Sequence, residues 1–200
     1  MNPASDEMLN LLRREQTLHE GSVAPLREAK QAYPDGFHLT VEPDSRMVWH
    51  PGRGVTLDRG PTTHPDTARL FLEGSMTAAI AAAIGFYTFH GSVVAWNGRA
   101  VILTGPSGAG KSTFAAALAT RGHPLLSDDL TLLVETDGGP PLVMPWHKPL
   151  KLWADSLALT GLPAGERIAP DYAKFTVTVP REENPLPLGG VVMLVAGERD

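Results

Sequence analysis

The sequence predicts an α/β fold, a central sheet with flanking helices, preceded by a small antiparallel β-rich region. Three observations predict it. A β-forming run, Ala100 to Thr104, leads straight into the glycine-rich "GPSGAGKS" and then into the alanine-rich helix "KSTFAAALATRG". Strand-like segments, "KFTVTV" and "GGVVMLVAG", recur downstream. Upstream, "FHLTVEP", "RMVWHP" and "GVTLDRG" are short, alternating segments broken by Pro, Gly and Asp, the pattern of a small sheet.

The elements follow in chain order. Residues 5–32 carry a helical pattern in which Met8, Leu11, Leu12 and Leu18 share spacing. The three short strands come next. "HPDTARLFLEGSMTAAIAAAIGFYTF" reads as a helix that Asp66 can cap, with Leu70, Leu72, Ala78, Ile80 and Ile84 on its apolar face. In "GSVVAWNGRAVILTG", Asn97-Gly98 between two β-rich runs signals a hairpin. The helix after the glycine-rich stretch ends at Gly122. "ETDGGPP" is a turn, "LVMPWHKPLKLW" is extended and "ADSLALTGL" is a short helix. Residues 1–65 form the N-terminal helix and a small β-rich region for substrate recognition; residues 66–200 form the main domain. No internal repeat occurs, and the end just after a strand fits a piece of a longer protein.

Bulk properties narrow the function. The 200 residues are 42% apolar and 20% charged, enough for a sizeable core. A net charge of −5 argues against a broad nucleic-acid or acidic-membrane surface. The absence of cysteine excludes disulfides, thiolate metal sites and a thiol nucleophile. The N-terminus lacks a signal-peptide pattern, and the longest small-apolar run, Met76 to Phe86, is too short to span a bilayer. A soluble, cytoplasmic protein is expected, without nucleic-acid or membrane partners; a homo-oligomer is compatible with the sequence. The seven histidines show no metal-ligand spacing.

Gly105, Pro106, Ser107, Gly108, Ala109, Gly110, Lys111 and Ser112 match G-x-x-x-x-G-K-[ST] at every fixed position, and Thr113 follows. The glycines allow a tight loop whose N–H groups point at an anion. The helix N-terminus adds its positive end. Lys111 can reach the β- and γ-phosphates, and the Ser112 hydroxyl can hold Mg²⁺. A nucleoside triphosphate is the expected ligand. No "LSGGQ"-like segment follows, and no N-K-x-D motif is present, which argues against ATP-binding-cassette and Ras-like GTPase readings.

Asp128 and Asp129 stand between two apolar runs, after room for one helix and a return to the sheet. Adjacent carboxylates repel each other and resist desolvation, so their place needs a reason. On a strand neighbouring the loop's own strand, one carboxylate can hold Mg²⁺. The other suits a base that accepts a hydroxyl proton during phosphoryl transfer.

The stretch His90 to Leu133, "HGSVVAWNGRAVILTGPSGAGKSTFAAALATRGHPLLSDDLTLL", resembles the catalytic domain of the HPr kinase/phosphorylase family. The likeness covers the histidine that opens the hairpin, the hairpin, the loop, the "RGH" end of the helix and the paired aspartates. It implies a phosphoenolpyruvate-carboxykinase-like P-loop fold and transfer from ATP, with Mg²⁺, to a serine hydroxyl on a peptide or protein. By motif position, it makes Asp128 the general base, sets His90 beside it, and gives Asp129 to the metal. The family's downstream glycine-rich signature and second acidic site are not found, and the N-terminal region differs. "TARLFLEGSMTAAIAAAIGFYTF" looks more like the HPr-kinase-related proteins found beside lasso-peptide biosynthesis genes, which phosphorylate a C-terminal serine of the precursor.

Among other cations, Lys151 and Lys174 sit in strand-like surroundings that can face the cleft and contact substrate. Lys148 and Arg167 read as ordinary solvated side chains. Trp146 and Trp153 read as core or cleft wall rather than adenine stackers. Two rival functions are a small-metabolite kinase and a nucleotide-binding regulator without phosphotransfer.

Overall fold

A computed structural model of the chain describes residues 3–23, 30–33, 35–169 and 172–195. Two compact units divide between Phe86 and Tyr87. The helical segment after residue 65 is thus grouped with the N-terminal sheet, where the sequence reading joins it to the main domain.

The first unit opens with helix α1 (Pro3–Glu15). It buries Leu9, Leu12 and Glu15, spaced to share one face. The helix is shorter than its pattern suggests. Thr17 turns the chain, since its N–H and its hydroxyl both donate to the Arg14 carbonyl, at 3.1 and 2.8 Å. Leu18 then lies in strand β1 (Leu18–Glu20), more than a third exposed, and not on the helix. Strands β2 (Lys30–Tyr33), β3 (Gly36–Glu42), β4 (Ser45–His50) and β5 (Gly54–Asp58) follow. They form a five-stranded sheet of order β1-β5-β4-β3-β2, antiparallel except for β1 on β5. The part of the expected N-terminal helix at residues 24–29 lies outside the described residues.

The long helix is also subdivided. It comprises α2 (Pro65–Phe71), a π-helical turn (Leu72–Met76) and α3 (Thr77–Ala83). The cap is His64 rather than Asp66: His64 Nδ1 accepts from the Asp66 N–H at 3.2 Å, and Asp66 lies in the first turn. Gly85, at φ 107°, ends the helix, so "YTF" becomes strand β6 (Tyr87–Phe89).

The second unit holds two sheets and few helices. Its strands are β6, β7 (Ser92–Trp96), β8 (Arg99–Thr104), β9 (Leu125–Ser127), β10 (Thr131–Val134), β11 (Leu142–Met144), β12 (Leu150–Trp153), β13 (Arg167–Ala169), β14 (Tyr172–Val177) and β15 (Leu186–Met193). Its described helices are α4 (Lys111–Ala119) and α5 (Ala154–Thr160). One sheet has the order β6-β10-β11-β15-β8-β7-β9; the other is β12-β14-β13. The expected hairpin joins β7 to β8, with Asn97 at φ 48° and Gly98 at φ 71°. That hairpin corrects the expected strand order: β7 occupies the edge of β8, so β9, which leads to Asp128, pairs with β7.

Alternation along β7 and β8 divides the core. Val93, Ala95, Ala100 and Ile102 pack on one face with Leu126, Leu133 and Val143. Val94 and Leu103 face the other way, onto Ala115, Ala116 and Ala119 of α4, with Leu150, Leu152 and Val177 in the same cluster. Helix α4 is thus packed against both sheets. Among the described residues, no helix is long and apolar enough to cross a membrane.

Glu15 carries a testable load in the first unit. Its carboxylate accepts from Trp49 Nε1 at 2.9 Å and from the Gly52 N–H at 2.9 and 3.1 Å. Glu15→Ala strands the indole N–H inside the protein. We expect it to lower the unfolding free energy by about 2 kcal/mol, read by urea denaturation. Glu15→Gln keeps one acceptor oxygen and should lose less.

Candidate functional site

Strand β8 delivers the chain into a loop that only glycine can follow at its start. Gly105 has φ 144°, and a Cβ there would stand 2.4 Å from the Leu194 carbonyl oxygen. The loop is held to β15's end by the Leu194 N–H, which donates to Thr104 O at 2.7 Å. Gly108 and Gly110 are left-handed, at φ 82° and 86°, with open space where a side chain would project. Gly110 is the N-cap of α4 and provides no capping side chain, so the first N–H groups of the helix face the loop's hollow. Lys111 is buried, and its Nζ donates to Gly105 O and Pro106 O, both at 3.0 Å. The ammonium therefore curls over the loop.

The acidic pair sits on the turn between β9 and β10. Asp128 is 3% exposed and accepts from two hydroxyls, Ser92 Oγ at 2.5 Å and Ser112 Oγ at 3.0 and 3.2 Å. Burial, then the neighbouring Asp129 charge, push the Asp128 carboxyl above the usual carboxylate range. The two hydroxyls and the charge of Lys174 pull the other way. Asp129 has the opposite surroundings. Its backbone is left-handed at φ 65°, a conformation that Asp tolerates, and its side chain is exposed. This kink lets adjacent residues serve one site from different depths. His90 Nδ1 lies 2.9 Å from the Asp129 carbonyl oxygen. A carbonyl only accepts, so Nδ1 carries the proton, and in the neutral ring Nε2 is an acceptor.

A cleft of about 510 Å³ gathers most of the sequence-predicted residues. His90, Ser107, Gly108, Gly110, Lys111, Ser112, Thr113, Asp129, Lys151 and Lys174 line it. Gly105, Pro106 and Ala109 shape the loop without lining the cleft, and Asp128 lies behind Ser112. Lys151 and Trp153 share the open face of β12, and Lys174 stands opposite Trp153 on β14. The Lys174 ammonium sits 5.6 Å from the Trp153 ring centre, and Trp153 is a half-exposed cleft wall. Trp146 is buried. The donor set fits Mg²⁺, which takes oxygen ligands: a loop hydroxyl already beside one carboxylate, with a second carboxylate at the cleft.

Sequence reasoning missed Ser92 and Ser156. Ser92 stands two residues after His90 at the start of a strand, and that spacing was the available signal. Thr113 Oγ1 donates to Ser156 Oγ at 2.9 Å, a pairing that no local pattern encodes.

The family described as SynChlorMet cassette protein ScmC matches residues 72–158. An HPr kinase/phosphorylase of Pelodictyon phaeoclathratiforme is 46% identical over 48 residues, 24% of this chain and 14% of that one. That of Chlorobium limicola is 49% identical over 45 residues, 22% and 14% respectively. That of Clostridium botulinum is 45% identical over 49 residues, 24% and 16%. The matches thus span 14–16% of the length of these curated relatives. A solved HPr(Ser) kinase/phosphatase from Coxiella burnetii is 30% identical, with 28% of this chain and 37% of that one covered and a TM-score of 0.27.

The Asp128 environment sets a pH dependence. A carboxyl whose folded pKa exceeds its unfolded one binds its proton more tightly when folded. Stability then falls as pH rises from the ordinary Asp value to the raised one. Asp128→Asn removes that loss. In calorimetric melts without nucleotide or metal, we expect the variant to melt above the parent at neutral pH. The gap should close below the ordinary Asp pKa.

Proposed function

Since the chain is HPr-kinase-like over its matched segments, we propose that it is a Mg²⁺-dependent ATP kinase with a phosphoenolpyruvate-carboxykinase-like P-loop core. Its acceptor is a serine hydroxyl on a peptide or protein. One observation carries the reading: the loop hydroxyl of Ser112 and the acidic turn meet at 3.0 Å, beside a cleft that holds Lys111, His90 and Asp129.

Each residue has a task in this reading. The N–H groups of the loop and the α4 N-terminus hold the triphosphate oxygens. Lys111 leaves its loop carbonyls for the β- and γ-phosphates, where its charge offsets theirs. Ser112 and Asp129 would hold Mg²⁺, which would supply charge neutralisation at the phosphate oxygens. Asp128, which lies behind the Ser112 hydroxyl, meets the acceptor once that hydroxyl turns toward the metal; it takes the serine proton as the serine oxygen bonds to the γ-phosphorus and the bond to the β-bridging oxygen breaks, releasing ADP. Burial raises the proton affinity of Asp128, which suits it to accept a proton. His90 holds the Asp129 backbone, and so the geometry of the pair, through its Nδ1 proton. Lys151 and Lys174 face the acceptor side and stabilise the phosphoryl group in transit.

The test is incubation with γ-labelled ATP and serine peptides, including ones with a C-terminal serine of the lasso-precursor type, read as label transfer and mass shift. Lys111→Ala should abolish transfer. Asp128→Asn should bind MgATP but transfer about 10²- to 10⁴-fold more slowly, the usual worth of a general base. Undiminished transfer by Asp128→Asn would remove it from the base role.

A further inference from the structure

We infer that the groove between α4 and α5 seats the purine ring of a nucleoside triphosphate. This rests on the reading that the glycine loop holds the phosphates. The cleft that starts at Lys111 and Ser112 continues along the flank of α4 past Thr113, Phe114 and Ala117. From α5 it is lined by Asp155, Ser156, Leu159 and Thr160. These positions form one face of each helix, three or four residues apart. The Thr113–Ser156 hydroxyl bond straps the two helices together at the groove's mouth.

The chemistry of the walls selects a flat apolar occupant. Phe114 is 45% exposed and Leu159 is 82% exposed, though both are large hydrophobic side chains. Their neighbours behave otherwise: Leu118 and Leu157 pack onto the core cluster under the same helices. Apolar surface left in water beside a polar cradle is costly unless a ligand covers it. An aromatic face from α4, an aliphatic side chain from α5 and the small Ala117 in the same lining suit a planar ring system. The spacing also fits. Ala117 lies five residues beyond Ser112, roughly 7.5 Å along the helix axis. A base joined to the phosphates by a ribose covers such a distance. The Thr160 hydroxyl is already engaged, donating to Ser156 O at 2.8 Å. Its proton is thus spent while its oxygen can still accept, and stacking on the apolar walls supplies most of the recognition.

The test compares MgATP with magnesium tripolyphosphate, which has the phosphates and no base. Both are titrated calorimetrically into the full chain and into the Phe114→Ala and Leu159→Ala variants. We expect Phe114→Ala to weaken MgATP about 10-fold, the usual worth of one stacking contact, with a smaller loss for Leu159→Ala. Tripolyphosphate binding should not change. Equal losses for both ligands would overturn the proposal, because they would report a distorted loop. So would unaltered MgATP binding by both variants, or tripolyphosphate binding as tight as MgATP in the parent. Leu159 is so exposed that its truncation leaves the fold intact. Base-dependent binding without phosphotransfer would sink the kinase reading and keep this one. Phosphotransfer with binding indifferent to both substitutions would do the reverse, and a parent that binds neither ligand would sink both.

Discussion

The second unit turns on one buried carboxylate. Asp128 sits where charge is expensive, and its neighbour Asp129 makes ionisation harder still. Two hydroxyls make the place tenable, Ser92 from β7 and Ser112 from the first turn of α4. The same bonds tie three elements together: the sheet, the helix and the acidic turn. Lys111 is the residue before Ser112, and the glycine loop precedes both. The loop and the acidic turn therefore keep one relative position. A site that acts by holding phosphates against carboxylates requires that constraint before any other.

Helix α4 reaches Asp128 because its inner face is almost without side chains. Ala115, Ala116 and Ala119 are fully buried between the strands carrying Val94 and Leu103 and those carrying Leu150, Leu152 and Val177. Larger residues at those positions would force the helix outward or strain the core. The distance from Ser112 to Asp128 would open with it. The alanine-rich composition thus links directly to the chemistry one turn away. On the outer flank the rule reverses, and Phe114 of α4, with Leu159 of α5, lines the cleft that the inner packing positions.

Much of this architecture was legible in the sequence, unevenly. Asn97-Gly98 announced the β7–β8 hairpin, because both residues tolerate the left-handed backbone that a two-residue turn needs. The three short alternating strands of the first unit read correctly for the same local reasons. Endings read less well. Nothing in the periodicity of residues 5–32 shows that Thr17 will bond back to Arg14, and β13 has too few residues to advertise itself. The order of strands was misjudged, because pairing β9 beside β8 ignores that the hairpin already occupies that edge. Lys151 and Lys174 were recognisable as cations on strands; the place of Lys174 over Trp153 depends on the β12–β14 register.

The sequence by itself determined the loop, its glycines and the lysine and serine that follow. It also determined the adjacency of the two aspartates and the hairpin turn at Asn97-Gly98. These are matters of dihedral freedom and covalent spacing, which act over a few residues. The tertiary structure alone decided which aspartate is buried and which is open, which hydroxyls reach the buried one, and which apolar side chains stay uncovered beside the loop. Desolvation and electrostatic strength depend on whatever packs around a group, and that packing is supplied by segments far away in the chain.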